Sequence, residues 1–134
     1  MTPDELRSIP LLAGVSDESL AKLADSAGEL ICHAGQILAV QGDPGSGMFV
    51  ILDGTVAVEW RGGSTTLEAG TFVGELTLLS PGGSRNARVR AQTDVRCLAI
   101  SREDALELIE NEPTVALAML REMARRFASA IPDD

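Results

Sequence analysis

The residues best suited to chemistry lie in one stretch, Thr71-Phe-Val-Gly-Glu-Leu-Thr-Leu-Leu-Ser-Pro-Gly-Gly-Ser-Arg-Asn-Ala-Arg-Val-Arg-Ala91. Gly74-Glu75-Leu76-Thr77-Leu78-Leu79 reads as one short helical turn, stopped by Ser80-Pro81-Gly82-Gly83. A helix N-terminus presents free N–H groups, and glycine there lets a ligand come close to the backbone, which makes a site for a phosphate. Glu75 would repel an anion, so its use there is to accept hydrogen bonds from a sugar hydroxyl while the backbone takes the phosphate. In the strand that follows, Ala87, Val89 and Ala91 share one face and Asn86, Arg88 and Arg90 the other. The apolar face looks inward, which puts Arg85 on the inner side. A guanidinium there needs an anionic partner. Glu75 fits, as a structural ion pair; an exogenous phosphate held by Arg85 and backbone N–H groups fits equally.

Whatever holds an anion here works against the chain as a whole. The 134 residues carry 11 Lys and Arg against 20 Asp and Glu, a formal charge of −9 with His33 neutral. Such a chain has no general attraction for DNA, RNA or anionic lipid, so an anionic ligand requires a pocket. With 45% hydrophobic and 23% charged residues it can build one domain with a real core. The longest apolar stretches, Val115–Leu120 and Phe49–Leu52, are far short of the ~20 residues of a membrane span. An acidic start, Met1-Thr-Pro-Asp-Glu, is unlike a signal peptide, and a cytoplasmic setting is expected. Cys32 and Cys97 lack metal-ligand spacing, and His33 has no nucleophile context, so neither a metal site nor a hydrolytic triad is expected.

The elements that must position these residues are punctuated by glycine. All 13 glycines lie between Gly14 and Gly83, the pattern of tight turns between short strands. Thr2-Pro3-Asp4-Glu5 opens a first helix, and Ser16-Asp17-Glu18 a second over 16–27. Strands are expected at Leu30–His33, Ile37–Gln41, Met48–Leu52, Thr55–Trp60, Ser64–Leu67, Asn86–Ala91 and Val95–Ile100, with Asp53-Gly54 and Gly62-Gly63 as hairpin-type turns. Ser101 with Asp104 caps a helix over 101–111; Pro113 starts the last one, over 113–131. On that helix Leu117, Leu120, Ala124, Phe127 and Ile131 recur at 3-4-3-4 spacing, a stripe that fits a homodimer seam or a domain-packing face.

The segment Phe72-Val-Gly-Glu-Leu-Thr-Leu-Leu, the ten-residue step from Glu75 to Arg85, and Asn-Ala-Arg-Val-Arg-Ala after it resemble the phosphate-binding cassette of cyclic nucleotide-binding domains. Similarity continues through Ile9-Pro-Leu-Leu-Ala-Gly-Val-Ser-Asp-Glu18, Gly35–Asp43, Met48–Val58 and Ala99-Ile-Ser-Arg, covering nearly the whole chain in the family's order. Glu122-Met-Ala-Arg-Arg-Phe127 looks most like the bacterial catabolite-activator branch. The resemblance implies a mainly β fold: a β-roll or jelly-roll of about eight strands over 29–100, with the phosphate-binding helix at 74–79 and helices packed at both ends, all one domain over 1–134.

By the same resemblance Glu75 bonds the ribose 2′-hydroxyl, Arg85 pairs with the cyclic phosphate, and the backbone of Gly74 and Leu76 lines the ribose-phosphate. Val58 and Val73 pack around the nucleotide. Arg126 lies near positions that meet the base, with a solvated helix residue as the plainer reading. The resemblance implies cAMP as the ligand, with cGMP as the alternative; the chain departs from the family's pattern at Asn86, beside the phosphate, where relatives commonly have serine, threonine or alanine, and at Ala130 and Ile131, where the activator branch carries hydroxyls toward the base. The chain stops at Asp134 without a helix-turn-helix, and no DNA contact is expected from it. The expected function is a non-enzymatic, metal-free sensor whose last helix closes over the base about a hinge at Glu110–Pro113 and signals to an effector domain or protein. A degenerate, non-binding dimerisation or scaffold module, and a pocket for another anion, are the alternatives.

Overall fold

The computed structural model describes residues 1–39, 47–74 and 87–131. Thr2 opens α1 (Pro3–Arg7): its hydroxyl accepts from the Glu5 N–H, and the Glu5 carboxylate accepts from the Thr2 N–H. After a 3-10 turn at Pro10–Leu12, the Ser16 hydroxyl caps α2 (Asp17–Ser26). Eight strands follow among the described residues: β1 (Gly28–Cys32), β2 (Ile37–Ala39), β3 (Gly47–Asp53), β4 (Thr55–Trp60), β5 (Gly63–Glu68), β6 (Phe72–Val73), β7 (Arg88–Ala91) and β8 (Val95–Ser101). Ser101 then caps α3 (Arg102–Asn111), and Pro113 takes the first position of α4 (Pro113–Ala130).

The strands form two antiparallel sheets, ordered β1-β8-β3-β6 and β2-β7-β4-β5. Ile51, Val56, Val73, Val89, Ala91 and Cys97 fill the space between them. A second core lies on the other face of the first sheet, where Val50, Leu98 and Ile100 meet Leu6, Leu12 and Leu20 from the N-terminal helices and Val115 and Met119 from α4. Strands β3 and β8 are therefore buried on both faces, which is why Met48–Leu52 is a continuous apolar run rather than an alternating one. The architecture is the expected mainly-β roll with flanking helices.

Two expectations change. Gly62-Gly63 does close a hairpin, with Trp60 paired to Gly63, but Asp53-Gly54 does not: β3 and β4 belong to different sheets. The β3–β8 register shifts between Ile51 and Asp53, and Gly54 (φ +93°) turns the chain across so closely that a Cβ there would lie 2.2 Å from the Asp94 carbonyl oxygen. Second, Phe72–Val73 is a strand, pairing with Val50 and Phe49; two residues are too few to show a period in sequence. The stripe read as a homodimer seam or a domain-packing face points away from the roll. Leu117, Leu120, Phe127 and Ile131 are 46–70% exposed, and Val115 and Met119 make the buried face instead. The far ends of the strands expected at Ile37–Gln41 and Asn86–Ala91, and the helix expected at 74–79 beyond Gly74, lie outside the described residues.

Candidate ligand-binding site

The segment carrying Glu75, Leu76, Arg85 and Asn86 lies outside the described residues; its two anchors are described. On the first sheet β6 ends at Val73, and Gly74 follows with φ +97°, a left-handed conformation that a side chain would strain. On the second sheet the chain returns at Ala87 and enters β7. Val73, 3% exposed, and Val89 belong to one apolar cluster, and Val58, paired with Val89 across β4 and β7, packs half-buried against it. The structure thus brings Val58 and Val73 into one apolar cluster with Val89, close to where the chain leaves the first sheet after β6 and enters the second at β7.

The alternation read in β7 is present: Val89 and Ala91 are buried, and Arg88 is exposed. Arg88 and Arg90 both donate to Glu59 on β4, at 2.9–3.3 Å. Hydrogen bonds from Arg90 and then Arg88 hold the Glu59 carboxyl below its ordinary range. The two arginines nearest the segment are therefore engaged on the outer side of the sheet.

Arg126 is not a solvated helix residue. Its Nη2 donates to the Thr71 hydroxyl at 2.7 Å and to the Phe72 carbonyl at 2.5 Å, and the guanidinium lies 4.8 Å from the centre of the Phe72 ring. Glu122, one turn earlier, stands 3.4 Å from its Nε. Hydrogen bonding from Arg125, with the charge of Arg126 behind it, holds Glu122 below the usual carboxylate range. The last helix is thereby tied to β6, immediately before Gly74. Thr71 and Phe72 are 55 and 54 residues from Arg126, and local spacing does not pair them. A signal was nonetheless available: Val115, Met119, Glu122 and Arg126 recur at 4-3-4 spacing, which continues the buried face of α4 to the guanidinium.

Among the described residues no group of three His, Cys, Asp or Glu side chains could hold a metal ion, and no helix is long and apolar enough to cross a membrane. A cavity of about 270 Å³ lies between α2 and α3, lined by residues of those helices and none of β6, β7 or α4.

The family model described as a cyclic nucleotide-binding domain matches residues 29–112. An uncharacterized NTE family protein of Mycobacterium tuberculosis is 33% identical over 129 residues, which cover 95% of this chain and 22% of that protein. The cAMP-dependent protein kinase regulatory subunit of Schizosaccharomyces pombe is 29% identical over 123 residues, 85% of this chain and 30% of the subunit. Among solved structures, the Thermus thermophilus catabolite activator protein is similar with a TM-score of 0.70 and 30% identity, over 90% of this chain and 59% of that one. The chain spans less than a third of the length of these two curated relatives. With a match that covers the roll and α3, this chain belongs to the cyclic nucleotide-binding domain family.

Proposed function

We propose that this regulatory module binds cAMP, with cGMP as the alternative ligand, and has no catalytic role of its own. Arg85 pairs with the cyclic phosphate, Glu75 accepts from the ribose 2′-hydroxyl, and the backbone of Gly74 and Leu76 lines the ribose-phosphate. Asn86 lies beside the phosphate; Val58 and Val73 pack on the nucleotide. One observation carries this reading. Glu75 and Arg85, the acceptor and the cation the ligand needs, fall inside the family match, on a segment whose ends are anchored at the Val58–Val73–Val89 cluster. The yeast relative's name supports cAMP.

Occupancy is relayed by α4, moving about the kink at Glu110–Pro113. Arg126 acts there as a clamp between α4 and the strand that enters the ligand segment, rather than as a base contact. The exposed stripe Leu117, Leu120, Phe127 and Ile131 receives the partner, a second copy of the chain or an effector domain, in a cytoplasmic setting and without DNA contact.

A thermal-shift titration with cAMP and cGMP, on wild type and Arg85→Ala, tests the ligand. At a hundred times the dissociation constant, binding adds about 2.7 kcal/mol, a rise of roughly 5–15 °C for a domain of this size. A rise with one nucleotide that Arg85→Ala abolishes supports the reading and names the base. No shift with either at millimolar concentration overturns it in favour of a non-binding scaffold, and a shift that survives Arg85→Ala points to a different anion mode.

A further inference from the structure

Among the described residues Glu112 is the one charged side chain buried in the fold, 8% exposed. It stands at the kink between α3 and α4, where the following Pro113 keeps its backbone out of the helical region (φ −124°, ψ 89°). From this position a short polar side chain caps a helix, yet Glu112 makes no such bond to α4. Its carboxylate turns to the start of α2. Oε1 accepts from the Ser16 N–H at 3.1 Å and from the Ser16 hydroxyl at 2.5 Å. The same hydroxyl accepts from the Ser19 N–H, so the negative charge rests on the positive end of α2. The surroundings hold the two segments together. A Cβ on Gly14 would lie 3.2 Å from Thr114, and Val115 and Met119 share a core with Leu12, Val15 and Leu20.

We infer that Glu112 is a latch that fastens the α3–α4 kink to α2, so that the base of α4 and the N-terminal helices move together. A buried carboxylate keeps its donors or incurs a large desolvation penalty, so any rotation of the kink takes the start of α2 with it or breaks the bonds that Glu112 accepts there. Glu112 is a positioning residue in this role. The N-terminal helices become a second place where the position of α4 is felt, 96 residues away in the chain. This coupling belongs to the free protein and stands whatever ligand the domain takes.

Amide hydrogen exchange on the free protein tests the latch. Ser16→Asp keeps an acceptor for the Ser19 N–H, so α2 stays capped, but it removes the hydroxyl donor and sets a second carboxylate against Glu112. The amides of Val115–Met119 are expected to exchange roughly tenfold faster, while those of α2 from Leu20 onward stay within about threefold of wild type. Adding Glu112→Gln supplies an amide that donates to the new aspartate, and the double variant is expected to return to within about threefold of wild type at α4. Unchanged exchange over Val115–Met119 in Ser16→Asp overturns the latch. Faster exchange that Glu112→Gln does not reverse overturns it as well, because the loss then lies in packing around α2 and not in the pair.

Discussion

A guanidinium seated between a hydroxyl, a carbonyl and an aromatic face contributes both to stability and to the placement of its helix. Replacing Arg126 by alanine removes both hydrogen bonds from Nη2 and leaves the Phe72 carbonyl without that donor. The expected cost is about 2 kcal/mol in urea unfolding. Arg126→Lys is expected to recover less than half of it, since an ammonium cannot serve the carbonyl, the hydroxyl and the ring from one planar group. The cysteines behave differently because both are buried in the apolar cluster between the sheets. Burial, with Cys32 nearby, pushes the Cys97 thiol up to about 11. Cys97 is therefore protonated at neutral pH and is expected to resist maleimide labelling in the native protein and to label on unfolding. Rapid native labelling would show that the roll opens locally at β8.

At the scale of elements, the two glycine turns separate a corner from a hairpin. Gly54 and Gly62 have nearly equal φ, +93° and +95°, but a Cβ on Gly54 would collide with the Asp94 carbonyl, whereas Gly62 faces open space. Gly62→Ala is expected to cost about 1 kcal/mol, the strain of a left-handed backbone alone. Gly54→Ala is expected to cost about 3 kcal/mol or more, because the clash with backbone adds to that strain. Equal denaturation midpoints for the two variants would refute this account of the corner. On α4 the outward residues Leu117, Leu120, Ala124 and Phe127 keep a 3-4-3 spacing, the pattern of a two-helix coil seam. If a second copy covers that seam, sedimentation velocity will show a dimer that Leu120→Glu converts to monomer with no loss of fold, since Leu120 is 62% exposed within one chain.

For the whole molecule, hydrogen bonds and ion pairs hold several carboxylates below their ordinary value of 4.5: Glu59 through Arg90 and Arg88, Glu112 through Ser16 and Ser19, and Glu122 through Arg125. Below that value the unfolded chain binds protons more readily than the folded one. The stability these groups contribute is thus complete above pH 4.5 and lost as pH falls through their depressed folded values. Calorimetry is expected to show a melting temperature that does not fall from neutral pH to about 5 and drops steeply below 4.5. A melting temperature falling already between pH 7 and about 6 would require another titrating group.

The helix caps at Thr2, Ser16 and Ser101 and the seven longer strands in outline were legible in sequence, because caps, turns and short apolar runs are decided by neighbours within a few residues. What sequence could not assign were the partners of side chains that meet across the fold. Whether Asp53-Gly54 closes a hairpin or turns a corner depends on which sheet β4 joins. Which face of α4 is buried depends on where the N-terminal helices dock. Arg126 on β6 and Glu112 on Ser16 join residues 54 to 96 positions apart, and only the tertiary structure decides such pairs, because packing, not local propensity, selects among the many acceptors a long charged side chain can reach.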